Sequence, residues 1–516
     1  MRNLFLCLLL LPLLAQRLPA QADLKALDTY IENARKEWAV PGLSVAVVKD
    51  GKVVLAKGYG VKELGKTDPV DDNTLFAIAS NTKAFISASI ALLVEEGKLK
   101  WDDPVKKHLP YFELYNPFVS AHTTVRDLLC HRVGLGTFSG DVIWFKSNYT
   151  AEEVVRHAKY LPAAYEFRAG YGYTNLMFIA AGEVIRAVSG QSWDAFVKAR
   201  LFQPLGMNRS QTSVNDLVKT GNFATPHKSV YGPAEPIAYA RWDNMGAAGG
   251  ILSSATDMAK WLQLQLAHGA WGGKQVFKQE SQDVFWTMHN SFRVGWNARS
   301  AAPARNFSGY ALGWNVTDNG GRLVVSHGGG YDGMYSQVML WPQANLGVVV
   351  LTNSMTGISG NLCNYIADRF LGNPEKDWCK QGLDGEKRHQ ATRKDWVDQR
   401  VKARVQGTTP SLPLKDLAGT YFDPLYGEVV IRESGSALEL HFPHAPSLDA
   451  KLTHWHFNTF QIQWNEPHAW FDFGTIQFVA DNKNQRVSEL RFDVPNEDIF
   501  FEEIHAVRRG TVDGRR

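Results

Sequence analysis

Ser80-Asn81-Thr82-Lys83 is the one S-x-x-K in the chain. Residues three apart on a helix share a face, so a helix beginning at Ser80 brings the Lys83 ammonium to the Ser80 hydroxyl. A serine hydroxyl is a poor nucleophile at its own pKa and needs an adjacent base. A lysine serves as that base only where burial or neighbouring positive charge lowers its pKa. The plain alternative is an exposed N-cap serine with a solvated lysine. Flanking Phe76, Ile78, Phe85 and Ile86 argue for burial instead.

Two further clusters offer complementary chemistry. In Tyr173-Thr174-Asn175, a tyrosine hydroxyl beside a serine and a lysine relays a proton to a leaving group. The Asn175 amide has the groups to bond both the lysine and a substrate carbonyl. Tyr165 and Tyr171 lie close by, so core packing accounts for a single tyrosine equally well. His327-Gly328-Gly329-Gly330 follows the strand-like Leu323–Ser326. Glycines there let a substrate approach the strand edge and leave N–H groups open for an oxyanion. A tight turn with a surface histidine is the alternative.

These residues need elements to hold them. Apolar residues at helical spacing predict a first helix over 23–38. Leu43–Val48 and Val53–Gly58 read as strands joined by Lys49-Asp50-Gly51-Lys52, where Asp-Gly suits a type I′ turn. A helix is expected from about Ser80 to Glu96, and antiparallel strands at 322–326, 334–341 and 347–352. Charge-rich 380–405 and Gly407-Thr408-Thr409-Pro410 read as linker. Beyond Leu417, alternating strands such as Leu438/Leu440/Phe442, Phe460/Ile462/Trp464 and Ile476/Phe478 predict a small β-barrel or sandwich.

With 45% hydrophobic and 21% charged residues, the 516-residue chain reads as globular with room for two or three domains. Arg2, the apolar run Leu4–Leu14 and Ala20-Gln21-Ala22 read as a cleavable export signal. The expected location is secreted or periplasmic. Without Arg2 and Arg17, 53 basic residues face 52 acidic ones. That balance gives no reason to expect nucleic acid or electrostatic membrane attachment, and no later stretch is long and apolar enough to span a bilayer. Cys130, Cys363 and Cys379 would remain, an odd number, with a Cys363–Cys379 bridge left open. No C-x-x-C or HExxH occurs, so no metal is expected. His454 and His456 would share a strand face, with His441, His444 and His468 in the same domain, but surface histidines are the plainer reading. Asn148, Asn208, Asn306 and Asn315 fit N-x-S/T, which matters only in a glycosylating host.

S-x-x-K, then Y-x-N, then a basic residue followed by glycines, in this order, resembles the serine β-lactamase and penicillin-binding superfamily. The likeness is strongest to its class C β-lactamase branch, which includes esterases and D-amino-acid peptidases. Residues 41–47 resemble the family's first strand. Leu128-Leu129-Cys130-His131-Arg132-Val133-Gly134-Leu135 resembles its "LLTHTSGL" segment, and Gly249-Gly250-Ile251-Leu252-Ser253-Ser254 with Asp257 its "GGL-S-D" segment. The resemblance runs from residue 24 to about 370. Leu417-Ala418-Gly419-Thr420-Tyr421 looks like the start of an appended lipocalin-like domain.

The resemblance implies an α/β (α+β) fold, an antiparallel sheet flanked by helices plus an all-helical region, with a C-terminal all-β barrel. Implied boundaries are 1–22 signal, 23–379 hydrolase domain, 380–412 charged linker and 413–510 barrel. It implies a serine hydrolase that cleaves an ester or amide of a small molecule or peptide through an acyl-enzyme, D-amino-acid peptides included. Ser80 would be the nucleophile, with Lys83 and Tyr173 managing the proton. Asn175, His327, Gly328 and Gly329 would meet substrate, and the N–H groups of Ser80 and Gly330 would hold the oxyanion. No metal or organic cofactor is implied, and a homo-oligomer stays open. An α/β-hydrolase is disfavoured, because no G-x-S-x-G occurs. Class C β-lactamases usually have lysine where this chain has His327. A histidine is mostly neutral at pH 7, so β-lactam hydrolysis ranks below ester or amide hydrolysis. Thr174 stands where the family often has Ser or Ala, a mild change. A β-lactamase, or a sensor or binding protein that acylates without turnover, are the alternatives. The intact Ser80, Lys83 and Tyr173 argue against inactivity.

Overall fold

The computed structural model describes residues 23–229, 232–301, 303–481 and 486–509, so the expected signal at 1–22 lies outside the described residues. Helix α1 (Leu24–Glu37) leads into the hairpin β1 (Gly42–Lys49) and β2 (Lys52–Gly60). Its turn carries Asp50 and Gly51 at φ +52 and +74°, as a type I′ turn demands. Then come α2 (Thr82–Glu95), α3 (Asn175–Ser189) and α4 (Ala255–Leu266), among shorter helices. Six further strands follow: β3 (Asn290–Ser291), β4 (Ser308–Tyr310), β5 (Asn315–Asn319), β6 (Arg322–Tyr331), β7 (Met334–Trp341) and β8 (Leu346–Thr352). The eight strands form one sheet in the order β2-β1-β8-β7-β6-β5-β4-β3.

Period-two alternation explains the layers. On β1, Val45 and Val47 pack with Leu27 and Ile31 of α1 and with Leu362 and Ile366 of α5 (Ile358–Leu371). Ala46 and Val48 point the other way, into the core that holds Met258 and Leu262 of α4. The central β8 is buried along its whole length, so it reads as a continuous apolar run (Leu-Gly-Val-Val-Val-Leu-Thr). Helix α2 is buried nearly all round, which makes it the spine of the helical region. The expected mixed fold is the one observed.

Two segments differ from the sequence reading. Strand β6 runs on through His327 and all three glycines to Tyr331, since pairing with β7 continues as far as Tyr331↔Met334. The stretch expected as linker contains a 25-residue helix, α6 (Trp378–Lys402). Its buried residues are only Cys379 and Arg393, so no apolar stripe announced it. Polar contacts dock it instead: Arg393 and His389 pair with Glu497, and Arg400 meets Asp493 at 2.7 Å.

Eight antiparallel strands then close a barrel: Gly419–Asp423, Gly427–Ser434, Ala437–His441, Ala450–His456, Thr459–Trp464, Thr475–Asp481, Arg486–Asp493 and Ala506–Arg508. Leu438, Leu440, Phe460, Ile462, Ile476 and Phe478 all point inward, as their alternation predicted. The barrel packs on the N-terminal half. Tyr149 donates its hydroxyl to the Tyr426 carbonyl at 2.7 Å, the Asn148 N–H reaches the His444 carbonyl at 2.7 Å, and Phe145 stacks edge-on against Phe471.

His454 and His456 bracket a bulge in their strand and turn to separate partners, the Phe457 carbonyl and the Val405 N–H. Among the described residues no cluster of three or more His, Cys, Asp or Glu could hold a metal ion. Cys130, Cys363 and Cys379 are buried and unbridged. No helix among the described residues is long and apolar enough to cross a membrane.

Candidate active site

Ser80 lies in a short 3-10 turn, Ala79–Asn81, that feeds α2. Ala79 before it has φ +46°, a left-handed conformation that costs a non-glycine residue energy and turns the serine out of the helix line. The first N–H groups of a helical turn have no acceptor within it, which leaves the Ser80 N–H available.

Lys83 follows one turn later and is wholly buried. Its Nζ donates to Ser80 Oγ at 2.9 Å, Asn175 Oδ1 at 2.8 Å and the Ala248 carbonyl at 2.8 Å. Burial pushes its pKa down to about 7, and the nearby Asp141 charge works against that shift. A neutral Lys83 can accept the Ser80 proton; a charged one can only donate.

Tyr173 lines the cavity beside Ser80, and its ring lies 4.8 Å from Lys83 Nζ. Burial raises the phenol well above its ordinary range. It therefore stays protonated beside a lysine that does not, which separates donor from base. Its backbone is fixed at both ends: the N–H meets Thr137 Oγ1 at 3.1 Å and the carbonyl takes the Phe138 N–H at 2.7 Å. Asn175 opens α3. Its Nδ2 donates to Asp141 Oδ2 at 2.7 Å, and Trp144 Nε1 donates to Asp141 Oδ1 at 2.8 Å. The amide nitrogen thus has one hydrogen left for a substrate.

His327 lines the same cavity, yet both its ring nitrogens are engaged. Nδ1 lies 2.5 Å from the Gly328 carbonyl, so it carries the hydrogen, and Nε2, 2.9 Å from the Tyr310 hydroxyl, accepts. Burial and the neighbouring Lys83 push its pKa down to about 3, leaving it uncharged. The glycines run along an open edge. Strand β5 pairs with β6 only as far as Asn315↔Ser326, whereas β7 continues. In an antiparallel ladder alternate residues turn N–H and C=O outward, and with Tyr331↔Met334 closing the hairpin those residues are Gly330 and Gly328. A Cβ on Gly329 would sit 2.1 Å from the Ile78 carbonyl oxygen, so only glycine lets this strand lie against the turn that carries Ser80.

Every singled-out residue that faces substrate, from Ser80 and Tyr173 to Gly330, lines one cavity of about 450 Å³, with Lys83 bonded beneath it. Sequence reasoning missed Asp141, and it missed His131 as a site residue. His131 is fully buried at φ +59°, accepts the Thr174 N–H at 3.1 Å and lies against the Tyr173 ring. It missed the barrel's share altogether. Trp470 and Asp498 line the cavity, and the Trp470 Nε1 donates to Asp332 at 2.7 Å. No local motif marks either residue, because they arrive from loops more than 290 positions past Tyr173.

Comparison with known proteins gives concordant results. The family described as Beta-lactamase matches residues 27–369, and a Domain of unknown function (DUF3471) matches 403–508. The chain is 30% identical to "Unguisins hydrolase ungD'" of Aspergillus campestris over 78% of this chain and 76% of that one. It is 28% identical to "Protein flp" of Staphylococcus aureus over 63% of this chain and 62% of that one. Among solved structures, the octameric penicillin-binding protein homologue from Pyrococcus abyssi has a TM-score of 0.61 at 24% identity. That alignment covers 94% of this chain and 100% of that one, and the likeness is one of fold.

Proposed function

The chain belongs to the Beta-lactamase family and is a serine hydrolase, and from that premise we propose that it cleaves an ester or amide through an acyl-enzyme on Ser80. Neutral Lys83 takes the Ser80 proton as the hydroxyl oxygen attacks the carbonyl carbon. Tyr173 gives its proton to the leaving group and is reprotonated by the Lys83 ammonium, which returns that base to its neutral form. Asn175 holds Lys83 in line. The Ser80 and Gly330 N–H groups meet the developing oxyanion. Water then attacks the acyl carbon, and the carboxylic acid departs as Ser80 regains its proton.

The observation that carries this reading is the 2.9 Å contact from Lys83 Nζ to Ser80 Oγ at a site where burial brings the lysine to about neutral pH. Uncharged His327 favours esters and amides over β-lactams, whose carboxylate needs a cation there. D-amino-acid peptides fall within this class, and relatives named for hydrolysis of unguisins support hydrolysis as such. The apolar run Leu4–Leu14 ahead of Ala20-Gln21-Ala22 supports export to a secreted or periplasmic location. The octamer named for the Pyrococcus homologue makes a homo-oligomer worth measuring.

The test is steady-state turnover of a short-chain chromogenic ester, a D-amino-acid anilide and a cephalosporin by wild type and Ser80→Ala. Ester or anilide turnover that vanishes in the mutant supports the reading. Fast cephalosporin turnover would favour the β-lactamase alternative, and full activity of Ser80→Ala would sink the mechanism.

A further inference from the structure

We propose that the loop between β3 and β4, residues 292–307, docks the protein on an anionic lipid bilayer, with Trp296 entering the headgroup layer beside Arg293, Arg299 and Arg305. This face lies outside the catalytic cavity, and the inference holds whether or not Ser80 turns over a substrate.

The loop carries charge of one sign. No Asp or Glu occurs from Val284 to Thr317, whereas Arg293, Arg299 and Arg305 all fall within that stretch. The three arginines are exposed, and among the described residues none of their guanidinium groups has an ion-pair or hydrogen-bond partner. Positive charge continues at the base of the loop. Burial, with Arg126 and Arg132 close by, pushes the His289 pKa down to about 4. Arg126 is paired with Asp102, but Arg132 and Arg168 share the single carboxylate of Asp127. The near balance of basic and acidic residues over the whole chain conceals this local surplus.

Trp296 adds an apolar element to the same face. It is 78% exposed and is the one exposed tryptophan among the described residues, whereas Trp261, Trp314 and Trp341 are fully buried. Phe307 of the same loop is exposed too. These side chains stand on a fixed base. The Phe292 N–H donates to the Ser308 carbonyl at 2.7 Å and the Arg305 N–H to the Ala298 carbonyl at 3.0 Å. Asp318 accepts the N–H groups of Asn306 at 2.6 Å and Phe307 at 2.9 Å. An indole held in water gains free energy when it enters an apolar layer, and tryptophan settles at the headgroup level of a bilayer. Arginines beside it are drawn to anionic headgroups within a Debye length. A soluble polyanion would satisfy the arginines and leave Trp296 in water, so a bilayer fits the whole face better. Phe292 meets the Tyr171 ring edge-on at 4.8 Å, and Tyr171 packs on Tyr310, which bonds His327. Docking through this loop therefore holds the catalytic half against the lipid surface.

The experiment is vesicle sedimentation of the chain beginning at Asp23, which lacks the apolar run Leu4–Leu14 and so cannot attach through it. Vesicles are phosphatidylcholine alone or with about 30% phosphatidylglycerol, in about 0.05 M salt, where screening is weak. The protein should partition onto the anionic vesicles and not the neutral ones, and about 0.5 M salt should release it. Arg293→Gln, Arg299→Gln and Arg305→Gln combined should weaken partitioning roughly 10- to 100-fold. Trp296→Ala should weaken it as well and remove the blue shift of tryptophan emission that anionic vesicles induce. No binding to anionic vesicles, equal binding to both kinds, or full binding by the triple variant overturns the proposal. Competition by soluble polyphosphate together with full binding by Trp296→Ala would assign the face to a polyanion and overturn it equally. If the triple variant is insoluble, the lipid and salt dependence of the unsubstituted chain decides. Sedimentation reads no turnover, so failure here leaves the hydrolase reading standing.

Discussion

Glu503 of the barrel accepts a hydrogen bond from the Ser139 hydroxyl at 2.6 Å, and its other oxygen takes the Gly140 N–H at 2.7 Å. This contact crosses from the C-terminal domain to the loop that carries Phe138 and Asp141. From Asp141 the bonds continue through Asn175 to Lys83. We expect Glu503→Ala to leave two donors unpaired, cost about 1–3 kcal/mol and lower kcat more than it changes KM. Thermal unfolding and ester kinetics on the same preparation check this, with Glu503→Gln as the conservative control. A fall in stability with unchanged kcat would confine Glu503 to a structural role.

The pH profile follows from Lys83. It acts deprotonated, and burial brings it to about 7, so kcat/KM on a neutral ester should rise with pH through that region. Tyr173 keeps its proton well above its ordinary range, so no alkaline fall should follow nearby. Asp141 is the charge that raises Lys83, and Asp141→Asn should move the acid limb to lower pH. An unmoved limb would mean that the two groups are not coupled.

Tyr173→Phe keeps the ring beside Lys83 and removes only the hydroxyl. Turnover should fall roughly 100- to 10,000-fold with the far-UV spectrum unchanged. A loss of only a few-fold would assign the proton to another group.

Gly329→Ala should be among the most damaging single changes in the sheet. The new methyl would meet a backbone oxygen rather than a yielding side chain. Separation of β6 from the Ser80 turn should abolish activity and cost about 1–3 kcal/mol. Near-normal activity in that variant would show that the two can part without consequence.

His327→Lys places an ionisable amine where the wild type is neutral. Cephalosporin acylation should increase, while the added charge lowers Lys83 further and shifts the ester profile toward acid. Stopped-flow acylation reads the first effect and the pH profile the second. No gain with cephalosporin would mean that Asp498 and Asp141 dominate the cavity's field.

The catalytic cluster was readable in the sequence because its members sit in short motifs at fixed offsets. Ser80 and Lys83 lie one helical turn apart, Tyr173 and Asn175 flank one residue, and the glycines follow His327 directly. The sheet was readable for a similar reason, since β1 and β8 announce themselves by valine-rich runs and the first hairpin by the Asp50-Gly51 turn. Helix α6 was not, because charge pairs rather than an apolar stripe hold it. Asp141 and His131 were unreadable for another reason. Each acts through a partner distant in sequence, and neither an aspartate nor a histidine alone reveals that it will be buried.

Tyr173 and Trp470 line the same cavity from the N-terminal and the barrel parts of the chain. Bond-breaking groups reside in one domain, and part of the wall that judges the substrate is lent by the other. Loops of a closed barrel can change without disturbing its strands, so new preferences can be acquired there while the proton-handling trio is inherited intact. Chemistry and selectivity are in this way separately mutable within a single polypeptide, and directed evolution toward a new substrate should concentrate on positions 465–474 and 494–499.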